Sequence, residues 1–306
     1  MNYGSKTDTV ILPDRTTRSE YTRASVSDWR VVFIILALAC LLVACYFPML
    51  IQTGRTIILS DDMAYGFFAP IVAVYVAWGK RAAVLKPIAG PSPWSVVLIG
   101  LGACVGTVST LANSSTFSRF AFLISLAGCL LLLGGWAAFR RFLFPFSLLL
   151  FTFPIPDVLY GELTQPLQLL ATRLSESAFE LLGFSVLREG NIIQLIHMKL
   201  SVVEACSGLR SLITLFFFCL VYGYFFETRV WLETVVVLLA IPSAIAVNAL
   251  RITATGVLGK YNMTLTEGTY HEVVGWVAFS VGFLLVLLCH RAIRRFLPPE
   301  GREPAH

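Results

Sequence analysis

Residues 31–50 read VVFIILALACLLVACYFPML, twenty consecutive positions without a charge or an amide. A helix needs ~20 such residues to cross ~30 Å of hydrocarbon, so this stretch reads as a membrane span. Working outward, further apolar runs lie near 64–79, 94–112, 118–138, 142–156, 208–226, 230–252 and 271–290. The pattern predicts an all-α polytopic membrane protein with about eight transmembrane helices, the second and fifth short enough to be tilted or partly re-entrant. Composition agrees with this reading. Of 306 residues, 57% are hydrophobic and 13% charged, at a mean hydropathy of +0.78. Soluble domains carry roughly 25% charged residues, so this chain lacks the charge to cover a water-facing surface.

In a soluble protein a net charge of +5 would point to an acidic partner. Here the basic residues sit between spans and report topology instead, and no nucleic-acid partner is expected. A cytoplasmic N-terminus puts Lys80, Arg81, Lys86, Arg140, Arg141, Arg229, Arg291, Arg294 and Arg295 inside, leaving Asp61, Asp62, Asp157, Glu162 and Glu267 in the opposite loops. That is the positive-inside bias. It divides the chain into a cytoplasmic polar tail (1–30), one transmembrane domain (31–290) and a cytoplasmic basic tail (291–306). The first 30 residues lack a short basic n-region, so a cleaved signal is not expected. Leu42-Val43-Ala44-Cys45 resembles a lipoprotein processing site, but its place inside a long span argues against lipidation.

The long interval 157–206 then lies outside the cytoplasm. Pro154 and Pro156 should end the fifth span. Leu163, Leu167, Leu170, Leu174, Ala178 and Leu181 follow at helical spacing, with Gln165, Gln168, Thr172, Glu176 and Glu180 mostly opposite. That predicts an amphipathic helix, lying either at the membrane interface or packed on its neighbours. Beyond Ser185, Val186-Leu187, Ile192-Ile193 and the run Leu200, Val202, Val203 are separated by Glu189-Gly190-Asn191 and by His197-Met198. Turn residues between short β-prone runs predict a small β-hairpin on the outer face.

Of seven cysteines, all but Cys206 lie inside apolar runs, where a thiol behaves as a small hydrophobe. No spacing suggests a disulfide framework or a zinc-type pair. Cys206 stands in Glu204-Ala205-Cys206-Ser207-Gly208-Leu209-Arg210, where the hairpin meets the sixth span. The positive end of the helix macrodipole and the Arg210 cation would both favour the nucleophilic thiolate there. Read blandly, Cys206 is a small residue at a tight junction. Ser207, Arg210, Ser211 and Thr214 weigh against that, because they form a polar stripe on one face of a span.

In the seventh span Asn248, Arg251 and Thr255 are spaced i, i+3, i+7, a second such stripe. Arg251, near the outer end, either snorkels to the interface or belongs to a site. His271 opens the eighth span at the same boundary. A zincin would need a second histidine at 275, where the chain has glycine, and no metal or other cofactor is expected. His197 falls in a turn, while His290 and His306 fall on the cytoplasmic side. Cys206, Arg251 and His271 thus stand at outer span ends as catalytic candidates. Glu204, Ser207, Arg210 and Asn248 are candidates for supporting or substrate-binding roles.

These residues carry a resemblance. Glu204–Ser211, Asn248-Ala249-Leu250-Arg251, and His271 followed by Gly275 resemble the signature segments of the exosortases, multispanning enzymes related to the archaeosortases. Phe153-Pro154-Ile155-Pro156 and Leu187-Arg188-Glu189-Gly190-Asn191 also look like family segments, and the likeness runs from about Asp61 to Leu288. Where family members often have a histidine before the glycine of the second span, this chain reads Ala64-Tyr65-Gly66. Some relatives also carry a soluble C-terminal domain, whereas this sequence ends in a short basic tail.

The resemblance implies a cysteine peptidase and transpeptidase of the bacterial inner membrane, working on its periplasmic face. Its partners would be exported proteins with a C-terminal sorting signal of motif, hydrophobic span and basic tail. An envelope glycan or a lipid is the candidate acceptor. Cys206 would attack the scissile carbonyl and form a thioester. Arg251 would hold the oxyanion, and either Arg251 or His271 would donate the leaving-group proton, an imidazole's reference pKa of ~6.5 being suited to it. Two other classes fit the spans. A transporter would place its key charges near the bilayer midplane and show repeated halves, which this chain does not. A non-catalytic scaffold for envelope polysaccharide export would need no cysteine beside an arginine and a histidine.

Overall fold

The computed structural model describes residues 15–59, 63–85, 90–196, 198–202, 208–261 and 268–297. Among them, the helices long and apolar enough to cross a bilayer are Trp29–Leu59, Trp94–Leu111, Ser115–Leu150, Leu209–Phe226, Val230–Lys260 and Val273–Arg295, with a shorter apolar helix at Tyr65–Gly79. The all-α membrane architecture read from the sequence is therefore present. Its residues group into two compact units, Met1–Asp61 with Gly66–Phe153, and Asp62–Tyr65 with Pro154–His306.

The first unit holds α1 (Arg15–Leu59), most of α2 (Ala64–Gly79), α3 (Ala82–Leu85), α4 (Trp94–Leu111) and α5 (Ser115–Leu150). Lipid tails give helices no hydrophobic reason to associate, so contact depends on small residues and hydrogen bonds. Gly128 of α5 meets the backbone of α4, where an added Cβ would stand 2.9 Å from the Ile99 nitrogen. Tyr46 ties α1 to that pair. Its hydroxyl lies 3.1 Å from the Gly102 carbonyl and 2.9 Å from Ser125 Oγ, and its ring stands edge-on to Phe122. α5 joins what the sequence separates into a fourth and a fifth span. The break between them falls at Gly134–Gly135, with Gly135 at φ 60°, ψ −161°, a conformation open essentially to glycine alone. Beside it the Leu131 carbonyl accepts the Ser92 N–H at 3.1 Å, a donor from outside its own helix. Arg140 and Arg141, expected in a loop, lie instead in the helical segment after the break.

The second unit holds α6 (Asp157–Leu181), β1 (Val186–Glu189), β2 (Ile192–Leu195), β3 (Met198–Ser201), α7 (Leu209–Phe226), α8 (Val230–Tyr261) and α9 (Gly268–Arg295). The expected hairpin has a third strand. β1, β2 and β3 form an antiparallel meander, pairing Glu189 with Ile192 and Ile192 with Ser201. Met198 was read as part of a separating turn, yet it opens the third strand opposite Leu195. α6 packs on its neighbours, but not through its leucines. Leu163, Leu170, Leu174 and Leu181 are exposed, while Thr164, Ala171, Thr172, Ser175 and Phe179 are buried. Small side chains let this helix lie close to α8, where Ser175 Oγ donates to the Ala249 carbonyl at 3.2 Å. The leucines are left exposed, the face that an interfacial helix turns to lipid. Phe179, Ala171, Ile193, Val202 and Ile252 make the core between α6, the sheet and α8.

α7, α8 and α9 pack together through Leu215, Cys219, Val236, Ala240, Ala244 and Val286. At the Glu227 end of these helices a polar network is sealed in. His290 Nε2 lies 2.9 Å from Glu227 Oε2, Tyr222 Oη lies 3.1 Å from His290 Nδ1, and Glu227 Oε1 accepts the N–H groups of Thr228 and Arg229. A neutral imidazole protonated at Nε2 satisfies both side-chain bonds, since Nε2–H donates to the carboxylate and Nδ1 accepts from the phenol. Burial alone would push the Glu227 carboxyl up. The bond to His290, the two backbone N–H groups and the Arg294 charge outweigh it and hold the carboxyl below its ordinary 4.5. A depressed carboxyl contributes stability that is complete above its unfolded value and is lost as pH falls through the folded one. Glu227→Gln should therefore lower the stability of the protein in detergent by about 1.5–3 kcal/mol at neutral pH, the usual worth of hydrogen bonds to a charged group. Thermal unfolding measured down a pH series should show that gap closing below about 4.5. A gap that is absent at neutral pH, or constant through acid, would remove the network from the stability of the fold.

Candidate active site

α8 is the element on which the site is built. The sequence ends its span at 252, but Thr253–Tyr261 contains no proline and the helix continues through Gly256 and Gly259 to Tyr261. Arg251 is therefore ten residues short of the helix end, about 15 Å at 1.5 Å per residue, rather than at a terminus. Its guanidinium does not reach along α8. It rests on α9 at Gly275, where an added Cβ would stand 3.6 Å from Cζ and 3.7 Å from Nη2. The planar group is thus turned toward a neighbouring helix rather than along its own. One turn before it, Asn248 is 3% exposed and lies against Gly208, the N-cap of α7. A Cβ at Gly208 would stand 2.7 Å from Asn248 Nδ2, and its φ of 79° is left-handed, so this junction requires glycine twice over.

One face of α8 thus touches the start of α7 through Asn248 and the second turn of α9 through Arg251. Thr255 completes the stripe by donating to the Arg251 carbonyl at 2.9 Å. A cavity of about 30 Å³ opens beside it, lined by Leu200, Ser201, Val202, Arg251, Ile252 and Thr255. Arg210 is half-buried in the first turn of α7, and its carbonyl accepts from Thr214 Oγ1 at 2.8 Å. Glu204, Cys206, Ser207 and His197 lie outside the described residues. His271 belongs to the first turn of α9, one turn before Gly275, and its side chain lies outside them as well. Two of the motif segments therefore meet the third, which lies on α8: Gly208, two residues after Cys206, is seated on Asn248, and Gly275, four residues after His271, is seated under Arg251. Among the described residues no group of His, Cys, Asp and Glu is placed to hold a metal ion.

A guanidinium held flat offers a fork of N–H donors in fixed geometry, suited to a carbonyl oxygen or the oxyanion derived from it. Two features passed unremarked in the sequence. Arg119 is a buried charge, 9% exposed, inside α5, and a lone arginine within an apolar run was the available signal. Glu227 had no such signal, since it follows a span end where charged residues are ordinary.

Helices that need a bilayer, with polar side chains gathered along one stripe of α8, define a multispanning membrane protein with a candidate site on that stripe. Residues 51–288 match the family model of the transmembrane exosortases (Exosortase_EpsH), and the chain belongs to that family. No curated protein matches the chain, and no solved structure does.

Proposed function

We propose that this protein is a cysteine peptidase and transpeptidase of the bacterial inner membrane, cutting a C-terminal sorting signal from exported proteins. The observation that carries the reading is the double seating of α8, which links the cysteine segment to Asn248 and the histidine segment to Arg251. The family match supports it over most of the chain. Cys206 acts as thiolate. Its sulfur attacks the scissile carbonyl carbon, negative charge passes to the carbonyl oxygen, and Arg251 stabilises that charge. Collapse breaks the C–N bond as His271 protonates the leaving amine, which departs with the hydrophobic span and basic tail. An acceptor nucleophile then resolves the thioester and frees the thiolate. Glu204, Ser207, Arg210 and Asn248 shape the surroundings or hold substrate.

The test is tail removal from exported proteins of the same genome that end in a shared motif, a span and a basic tail. Product mass then separates hydrolysis, which adds water, from transfer, which adds an acceptor. A supporting experiment addresses orientation. With the other six cysteines replaced by alanine, a membrane-impermeant maleimide should label Cys206 in intact cells, and Cys206→Ser should abolish the signal. Labelling that appears only after permeabilisation would put the site on the wrong side of the membrane for this substrate.

A further inference from the structure

Within the first unit, between α1, α4 and the start of α5, lies a cavity of about 550 Å³ that the proposed reaction does not use. Small-molecule sites span about 300–1,000 Å³, so it is large enough to hold a ligand. Its lining changes character along the helices. Cys45 and Met49 belong to the apolar run 31–50, and Ala103 stands eight residues before the end of α4, about 12 Å at 1.5 Å per residue. Gln52 and Asn113 stand two residues beyond that run and that helix, at one membrane boundary. With a cytoplasmic N-terminus, it is the outer one. Tyr46 joins the helices at the inner end, through its hydroxyl to Gly102 and Ser125.

The hydroxyls between these ends are committed in one sense only. Thr107 Oγ1 donates to the Ala103 carbonyl and Thr110 Oγ1 to the Gly106 carbonyl, each at 2.9 Å. A hydroxyl has one proton and two lone pairs, so both oxygens can still accept, and both threonines are exposed. The amides of Gln52 and Asn113, also exposed, offer donors as well as acceptors. Among the described residues no charged side chain lines the cavity, and Arg55, three residues beyond Gln52, is not part of it. Beside the lining, Phe47 and Ile51 on α1 and Val108 and Leu111 on α4 are exposed and apolar, surfaces along which acyl chains can lie.

We propose that this cavity binds a membrane lipid whose headgroup is uncharged and rich in hydroxyls, the chemistry of a glycosyl diacylglycerol. Headgroup hydroxyls donate to Thr107 and Thr110, and the two amides complete the set at the membrane boundary. The acyl chains follow the apolar residues of α1 and α4 toward the bilayer interior. An anionic headgroup fits less well, because its phosphate would leave water for a lining without a cation.

The experiment uses full-length protein in lauryldimethylamine oxide, a detergent without a sugar headgroup. Native mass spectrometry reads the fraction carrying lipid during titration with monoglucosyl diacylglycerol, plain diacylglycerol or phosphatidylglycerol. The glucosyl lipid is expected to bind the parent at least ~10-fold more tightly than either of the others, the worth of one or two hydrogen bonds. Thr107→Val combined with Thr110→Val keeps the shape of both side chains and removes both acceptors, so it should weaken that lipid ~10-fold. Thr234→Val removes a threonine bonded in the same way on α8, to the Val230 carbonyl at 2.8 Å, and should bind as the parent does. If the valines prevent accumulation, Gln52→Leu, at an exposed position, is measured against the same outcomes. Equal binding of the three lipids would reduce the cavity to an apolar groove and overturn the proposal. So would parent-level binding by the double variant, or an equal loss in Thr234→Val. Methyl glucoside binding as tightly as the glucosyl lipid would overturn the assignment to a lipid.

Discussion

Replacing Cys206 with alanine is expected to abolish tail removal while the protein stays at its normal abundance in the membrane. In the proposed reaction the sulfur is the atom through which peptide-bond cleavage is divided into two easier displacements, and a methyl group offers no second route. Water would not simply take its place, because in that reaction the guanidinium and imidazole act on a tetrahedral centre that must first be formed. Among the described residues, the core of the second unit is made by Phe179, Ile193, Val202 and Ile252, and the helix contacts by Leu215, Val236 and Val286. Loss of one sulfur should cost no more than about 1 kcal/mol, the centre of the distribution for point substitutions. Cys206→Ser should be equally inactive, since a hydroxyl at neutral pH lacks the thiolate's nucleophilicity. A covalent adduct between substrate and the parent protein, released by hydroxylamine and missing in both variants, is the positive counterpart. Normal processing by a stably inserted Cys206→Ala protein would end the cysteine mechanism.

The membrane class was legible because lipid imposes a crude rule, long uncharged runs, that residues 31–50 and 234–250 obey without help from packing. Boundaries were less so. Hydropathy falls after Ile252, where threonines, glycines and a lysine begin, but such residues do not break a helix, and α8 runs on to Tyr261. The reverse happened at 134–135, where two small apolar residues looked continuous and the backbone breaks. Helical spacing of leucines in α6 was read correctly as a face and said nothing about whether lipid or protein would cover it. Within the site, the polar stripe of Asn248, Arg251 and Thr255 was visible by spacing. What each member touches was not. Gly208 and Gly275 are the partners, and a glycine offers no side-chain pattern to read; its information is the space it leaves.

That space makes Arg251 testable in two independent ways. Arg251→Lys keeps the positive charge and a long stem but replaces a planar fork with a rotating ammonium. Were the residue only a charge at the membrane boundary, lysine would serve. As an oxyanion donor it should not, and loss of one such donor typically costs ~10²–10³ in rate, so Arg251→Lys is expected to insert normally and process substrate at least ~10²-fold more slowly. His271→Ala should be severely impaired too, while His197→Ala, outside the proposed chemistry, should stay near the parent rate. Gly275 supplies the second way. An alanine Cβ there would sit 3.6 Å from the guanidinium carbon, ordinary contact, so Gly275→Ala should keep most of the activity. Leucine at 275 would occupy the volume of the guanidinium itself and push it off α9. Gly275→Leu should then resemble Arg251→Lys in rate, and combining the two should cost little more than either, since both remove the same group from the same place. Rates measured at equal membrane abundance decide it. Near-parent processing by Arg251→Lys, or losses in the double variant that multiply, would take Arg251 out of the chemistry and leave Cys206 and His271 to carry the reaction without it.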